Sequence, residues 1–163
     1  MKIIVVWVAL LWLLVACQAP TSTRQMVTVD RAISGSTVEL TLAGQVQKVR
    51  LVGVSAPNFN QKPWGPAAKD RLETIIQESD RKFSLELEPT EPKVATKYRY
   101  GYLWHNNTLV NEQLIREGQG LAATQYVLPK YERQFIRAQA YARLMAVGIW
   151  SHDAPLRSNP GNK

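Results

Sequence analysis

Between residues 26 and 54 the chain alternates apolar and polar side chains with little interruption. MVTVDRAI, STVELTL and VQKVRLVGV are separated only by the short breaks Ser34-Gly35 and Ala43-Gly44. A period of two belongs to a strand with one buried face, and breaks this short leave room for hairpin turns and nothing longer. Three consecutive antiparallel strands are therefore expected before any other element can form.

The period then changes. GPAAKDRLETIIQES carries Pro66 early, where a first helical turn tolerates it, and sets Ala68, Leu72, Ile75 and Ile76 at helical spacing. KFSLELE returns to period two with Phe83, Leu85 and Leu87 on one side, EPTEPKVATK breaks the chain with two prolines, and YRYGYLW reads as a fifth strand. Two helices follow. LVNEQLIREG stops at Gly118, and a second segment runs from Pro129 to Gly148 with Tyr131, Phe135, Ala138, Ala142 and Met145 on one apolar stripe. That stripe reads as core packing. Lys130, Arg133 and Arg137 follow an adjacent face, which reads as solvated, with phosphate contacts as its other use. The expected fold is α+β and β-rich: a five-stranded OB-fold-like barrel with three packed helices. Barrels of this kind often bind oligonucleotides across one face and the neighbouring loops.

The N-terminus has a separate logic. MKIIVVWVALLWLLVA has one charge at Lys2, an unbroken apolar run and a small residue at Ala16, which is the plan of a secretory signal peptide over residues 1–16. The run falls short of the roughly 18 to 20 apolar residues that a spanning helix needs. LVAC, ending at Cys17, resembles the lipobox of bacterial lipoproteins, whose cysteine becomes the lipid-modified first residue of the mature chain. Cys17 is the only cysteine, so no intramolecular disulfide is possible, and its position suits a lipid anchor. Residues 17–26 read as the lipidated N-terminus and a tether, 27–151 as the folded domain, and 152–163 as a flexible tail. An exported lipoprotein held at the cell envelope is the expectation. Gln18 lacks the aspartate associated, by the same resemblance, with inner-membrane retention, so both membranes stay open.

Without residues 1–16 the chain keeps 19 basic and 13 acidic residues, a formal charge of +6. That charge suits phosphate-rich partners and anionic lipid headgroups equally.

In SGSTV, VRLVGVSAP, WGPAA, LVNEQLIREG and AQAYARLMAVGIW, in that order and spacing, the chain resembles the staphylococcal nuclease (thermonuclease) family over about residues 27 to 151. The resemblance implies an OB-like barrel with three helices and, in active members, calcium-dependent hydrolysis of DNA and RNA phosphodiesters. It also marks where the two differ. The family's Asp-Gly-Asp-Thr reads Ser34-Gly35-Ser36-Thr37 here, and after Arg50 the family's second-motif aspartate and glutamate are Ser55 and Asn58, with Pro57 retained. Calcium takes about six to eight oxygen ligands and is held mainly through charged ones, so Ser36 and Ser55 are poor replacements. The glutamate is the presumed general base, and a carboxamide at Asn58 cannot accept the proton.

Of the family's two phosphate-gripping arginines, the resemblance puts the first at Arg50. For the second, counting back from Trp104 gives Tyr98, while a one-residue loop change gives Arg99. Tyr126 is the one counterpart offered to the family's base-stacking tyrosines. Glu39 lies three residues from Ser36 on one strand, hence on the opposite face, and Asp30 belongs to the preceding strand. His105 and His152 lack metal-ligand spacing, Trp64, Trp104 and Trp150 read as packing residues, and Asn106-Asn107-Thr108 reads as a polar turn.

Three readings remain open on sequence: a membrane-anchored domain with a degenerate catalytic site that binds nucleic acid or a protein; an active nuclease with an altered metal site, the one case in which Ca2+ would be expected; and a structural envelope lipoprotein. Fold does not choose among them, so the site must.

Overall fold

The computed structural model describes residues 24–88, 97–158 and 160. The signal segment, Cys17 and most of the tether lie outside the described residues.

The alternating N-terminal stretch forms β1 (Gln25–Ser34), β2 (Thr37–Leu42) and β3 (Gln45–Leu51), paired antiparallel in chain order. Helix α1 (Trp64–Glu78) follows, then β5 (Lys82–Leu87) and β6 (Arg99–His105). β5 pairs with β1, and β6 pairs with β5 on one side and, in parallel, with β3 on the other through Val49↔Arg99, Arg50↔Tyr100 and Leu51↔Gly101. These five strands close into a barrel, which removes the exposed edges of an open sheet. Three short strands were not legible from the pattern. β4 (Val54–Ser55) pairs with β8 (Leu121–Ala122), and β7 (Thr108–Leu109) hairpins back on β6. Two-residue strands carry no period, so only long-range pairing reveals them.

The alternation in β1 slips where the strand bends. Val27 and Val29 are buried, but the next inward residue is Ala32, because register shifts between Val29 and Arg31 and again between Ala32 and Ser34 break the ladder. Such irregularities increase local twist, which a small closed barrel requires.

Inside, Val29, Val38, Leu40, Val49, Phe83, Leu85 and Leu103 meet α1 through Leu72, Ile75 and Ile76, and meet α2 (Val110–Arg116) through Leu114 and Ile115. Helix α3 (Pro129–Leu144) buries Tyr131, Phe135, Ala138 and Ala142 as its stripe predicts. Met145 departs from that expectation at 52% exposed. The helix ends at Leu144 instead of running to Gly148, because Ala146 (φ +51°) and Gly148 (φ +58°) turn the chain through left-handed conformations. Gly148 and Gly118 (φ +70°) pack backbone to backbone there: a Cβ on either would come within 2.2 Å of a carbonyl oxygen. Trp104 and Trp150 are half-buried, with Arg24 and Arg143 stacked on their faces at 3.7 and 4.3 Å. In the segment expected as a tail, Leu156 donates its N–H to the Ile149 carbonyl and Ser158 Oγ accepts from Gln61. Among the described residues no helix is long and apolar enough to cross a membrane.

Under α3 lies a buried polar network. Tyr102 OH donates to Glu88 at 2.8 Å and accepts the Leu128 N–H, while Glu86, 1% exposed, accepts from Tyr131 OH at 2.7 Å and Lys130 Nζ at 2.6 Å. Burial pushes both phenols above the ordinary tyrosine range, and the hydrogen-bonded carboxylates add to the effect. A phenol whose folded pKa is raised contributes stability that is whole below the unfolded pKa and is lost as pH rises through the folded one. Stability is therefore expected to hold up to about pH 10 and then to fall by up to about 1.4 kcal/mol per pH unit for each such tyrosine. Urea titrations at successive alkaline pH values check this. The slope should be shallower in Tyr102→Phe, and an unchanged slope would remove Tyr102 from the account.

Candidate functional site

The site forms where three segments distant in sequence meet at one end of the barrel. The Ser34-Gly35-Ser36 turn joins β1 to β2. A Cβ on Gly35 would lie 2.6 Å from the Ala68 Cβ of α1 and 2.9 Å from the Ala56 Cβ of the loop after β4. Only glycine permits this approach, and it presses the first motif against the second. Ser36 is buried and its carbonyl accepts the Leu51 N–H at 2.8 Å; Thr37, also buried, lies opposite Arg50 across β2 and β3. Ser55 is half-buried and pairs with Leu121, where Gly120 admits its carbonyl: a Cβ there would stand 2.8 Å from the Ser55 oxygen. Asn58 is exposed in a tight loop, its N–H donating to Gln61 Oε1 at 2.8 Å and its carbonyl accepting the Gln61 N–H at 2.9 Å.

The fold thus gathers the segments that carry Ser34, Ser36, Ser55 and Asn58 and sets the Arg50 strand alongside. Among the described residues the carboxylates nearest in sequence to these motifs are held by other partners. Asp30 accepts from Thr41 Oγ1 at 3.2 Å and Glu39 pairs with Arg31 at 2.9 Å, which also holds the Arg31 guanidinium above its usual range. Glu73 of α1 reaches the end of β1, where it accepts the Ala32 N–H at 2.7 Å. Among the described residues no three His, Cys, Asp or Glu stand together as a metal site. The donors gathered here are hydroxyls and one carboxamide, so they do not fit calcium, which is held mainly by charged oxygens.

Arg50 is exposed, and its guanidinium stands 5.7 Å from the centre of the Tyr98 ring, within reach of a cation–π contact. Tyr98 is the residue that register counting places at the second arginine's position, and it is the one that meets Arg50. Arg99 has Val49, not Arg50, as its neighbour across the parallel seam. It lines an open groove of about 470 Å³ with Val46, Gln47, Lys48, Lys97 and Tyr98. Lys48 and Lys97 were not singled out by sequence reasoning. Their one signal is position, Lys48 two residues before Arg50 and Lys97 beside Tyr98, and it acquires meaning only once β3 and β6 are paired. Tyr126 lies in the 3-10 turn Thr124–Tyr126 ahead of α3.

Comparisons with known proteins agree with this architecture. Residues 48–152 match the family model of staphylococcal nuclease homologues. Over 140 residues the chain is 31% identical to the thermonuclease of Staphylococcus hyicus, covering 79% of this chain and 78% of that protein. It is 30% identical over 129 residues to the thermonuclease of Staphylococcus intermedius, covering 75% and 74%. The SPbeta prophage-derived endonuclease YokF of Bacillus subtilis is 29% identical over 133 residues, 77% of this chain but 44% of that longer protein.

Proposed function

This chain belongs to the staphylococcal nuclease family, and on that premise we propose that it is a membrane-anchored nucleic-acid-binding domain whose site has lost hydrolytic chemistry. The observation that carries the reading is the composition of the gathered site. Ser36 and Ser55 supply neutral oxygens where a hard divalent cation needs charged ones, and Asn58 has no lone pair basic enough to activate water. The two deficits act on one event, so either is sufficient and their costs do not multiply. Binding asks for less. Arg50 at the seam and Lys48, Lys97 and Arg99 along the groove offer cations to a phosphate backbone, and Tyr98 offers an aromatic face beside them. The lipobox-like segment ending in Cys17 supplies the anchor.

The test is cleavage and binding of labelled single-stranded DNA by the chain from Gln18 onward. Expected are no cleavage with or without calcium, no calcium effect on the melting temperature, and affinity that falls steeply with salt. Arg50→Ala should weaken binding and reduce the salt slope by about 0.7, the loss of one phosphate contact on a single strand. Cleavage that requires calcium and disappears in Arg50→Ala would overturn the loss of hydrolysis; absence of any salt-dependent binding would overturn the nucleic-acid reading and favour a protein partner. The anchor has its own test: Cys17→Ser should release the protein from the membrane fraction of cells that export it.

A further inference from the structure

Helix α3 carries an outer face that the site does not use. Opposite its buried stripe, Arg133, Ile136, Arg137, Ala140, Arg143 and Leu144 are all exposed and form one face at helical spacing. The helix has four basic residues against one acid, Glu132. Among the described residues seven large hydrophobics are exposed, and four of them lie on this helix or its C-terminal cap: Ile136 at 51%, Tyr141 at 38%, Leu144 at 82% and Met145 at 52%. Two of the surrounding arginines are already laid along apolar rings, Arg116 over Tyr141 at 3.8 Å and Arg143 over Trp150 at 4.3 Å.

The anchor's exit point adds a second, independent observation. Arg24, the first described residue, stacks on Trp104 and lies 3.6 Å from Glu86, the carboxylate that holds Lys130 and Tyr131 in the first turn of α3. The chain therefore leaves the domain beside the N-terminal end of this helix. Cys17 and Arg24 are separated by residues 18–23, seven Cα steps that can span at most about 25 Å when fully extended. The helix itself is about 24 Å long, so an anchored domain cannot carry it far from the bilayer.

From these two observations we infer that the outer face of α3 is a docking surface for anionic lipid, lying in the headgroup layer with Ile136 and Leu144 directed into the acyl boundary and the arginines on the phosphates. This rests on the anchor reading above for the tether geometry. Basic residues flanking exposed apolar ones are what an interfacial helix requires, whereas a phosphate backbone of nucleic acid gives Leu144 nothing to enter.

Among the described residues every core residue falls between Val27 and Ile149, and the lipid-free chain from Gln18 retains them all. It is mixed with vesicles of phosphatidylcholine alone or with equal parts of phosphatidylglycerol, and partitioning is read by co-sedimentation. Binding is expected to the anionic vesicles only. Each basic residue near an anionic surface contributes a factor of about five, so Arg133→Gln with Arg137→Gln should weaken partitioning about 25-fold. Leu144→Ser should weaken it at least about fivefold at unchanged charge. Both sets lie on an exposed face, and thermal melting verifies that the variants stay folded. No partitioning of the parent, equal partitioning of parent and variants, or an effect of the variants on single-stranded DNA binding alone would overturn the assignment. The two readings fail separately: a chain acylated at Cys17 whose lipid-free form ignores vesicles keeps the anchor and loses the helix contact. A lipid-free form that binds as described, from a chain never acylated, does the reverse.

Discussion

Asn111→Ala is expected to destabilise the domain by about 3 to 5 kcal/mol, a large fraction of the 5 to 15 kcal/mol that holds an ordinary domain together. The side chain has no exposed surface and sits at the start of α2. Its Oδ1 accepts the Leu103 N–H at 2.9 Å, and its Nδ2 donates to the Val52 carbonyl at 2.9 Å and the Gly101 carbonyl at 3.2 Å. One amide therefore ties the end of β3, the middle of β6 and α2 together at the parallel seam that closes the barrel. Truncation leaves the Leu103 N–H and the Val52 carbonyl short of a partner, each costing about 1 to 3 kcal/mol less whatever relaxation recovers, while the Gly101 carbonyl keeps the Val52 N–H at 3.0 Å. Asn111→Asp should fare no better, since a carboxylate can accept from Leu103 but cannot donate to two carbonyls and would bring a charge into the core. Urea unfolding of both variants measures the effect. A loss below about 1 kcal/mol would mean that water replaces the amide and that the seam does not depend on it.

The second large effect concerns chemistry. Ser36→Asp, Ser55→Asp and Asn58→Glu, combined, are expected to create calcium-dependent cleavage of single-stranded DNA at least about 100-fold above the parent chain, the lower end of what a positioned general base contributes. The physical ground is that the scaffold is already assembled: Gly35 seats the first motif on Ala56 and Ala68, and Arg50 stands opposite Thr37. What the gathered motifs lack is charged oxygen. Single substitutions should gain almost nothing, because a base without a metal and a metal without a base each fail. Calcium should raise the melting temperature of the triple variant and leave the parent unchanged, while without calcium the added charge at buried Ser36 should lower it. Adding Arg50→Ala to the triple variant should abolish the gain. A triple variant that binds calcium yet stays inactive would place the remaining deficit at the seam, where Tyr98 meets Arg50; Tyr98→Arg then becomes the decisive addition.

Most of the barrel is legible in the sequence because alternation is a local property: a strand with one buried face must repeat every two residues, and Val38, Leu40, Val49, Phe83 and Leu85 do so and are buried. The stripe on α3 was legible for the same reason, up to the point where it failed. Met145 continues the helical spacing, but the backbone has left the helix by then, and spacing carries no information about φ. The strands β4, β7 and β8 are two residues each, too short for any period, and exist only because a distant partner supplies the ladder.

The sequence alone determined which side chains this protein has for chemistry: three serines and an asparagine in the motif positions, Arg50, and a single cysteine at the end of an apolar segment. Residue identity is fixed before folding, and no arrangement turns a hydroxyl or a carboxamide into a carboxylate. Tertiary structure alone decided which groups stand together. It set Tyr98 rather than Arg99 beside Arg50, drew Lys48 and Lys97 into one groove, and brought the chain's entry at Arg24 to the foot of α3. Each of these depends on a contact between residues far apart in the chain, whose closure is stabilised by the burial of the whole core and leaves no trace in any local pattern.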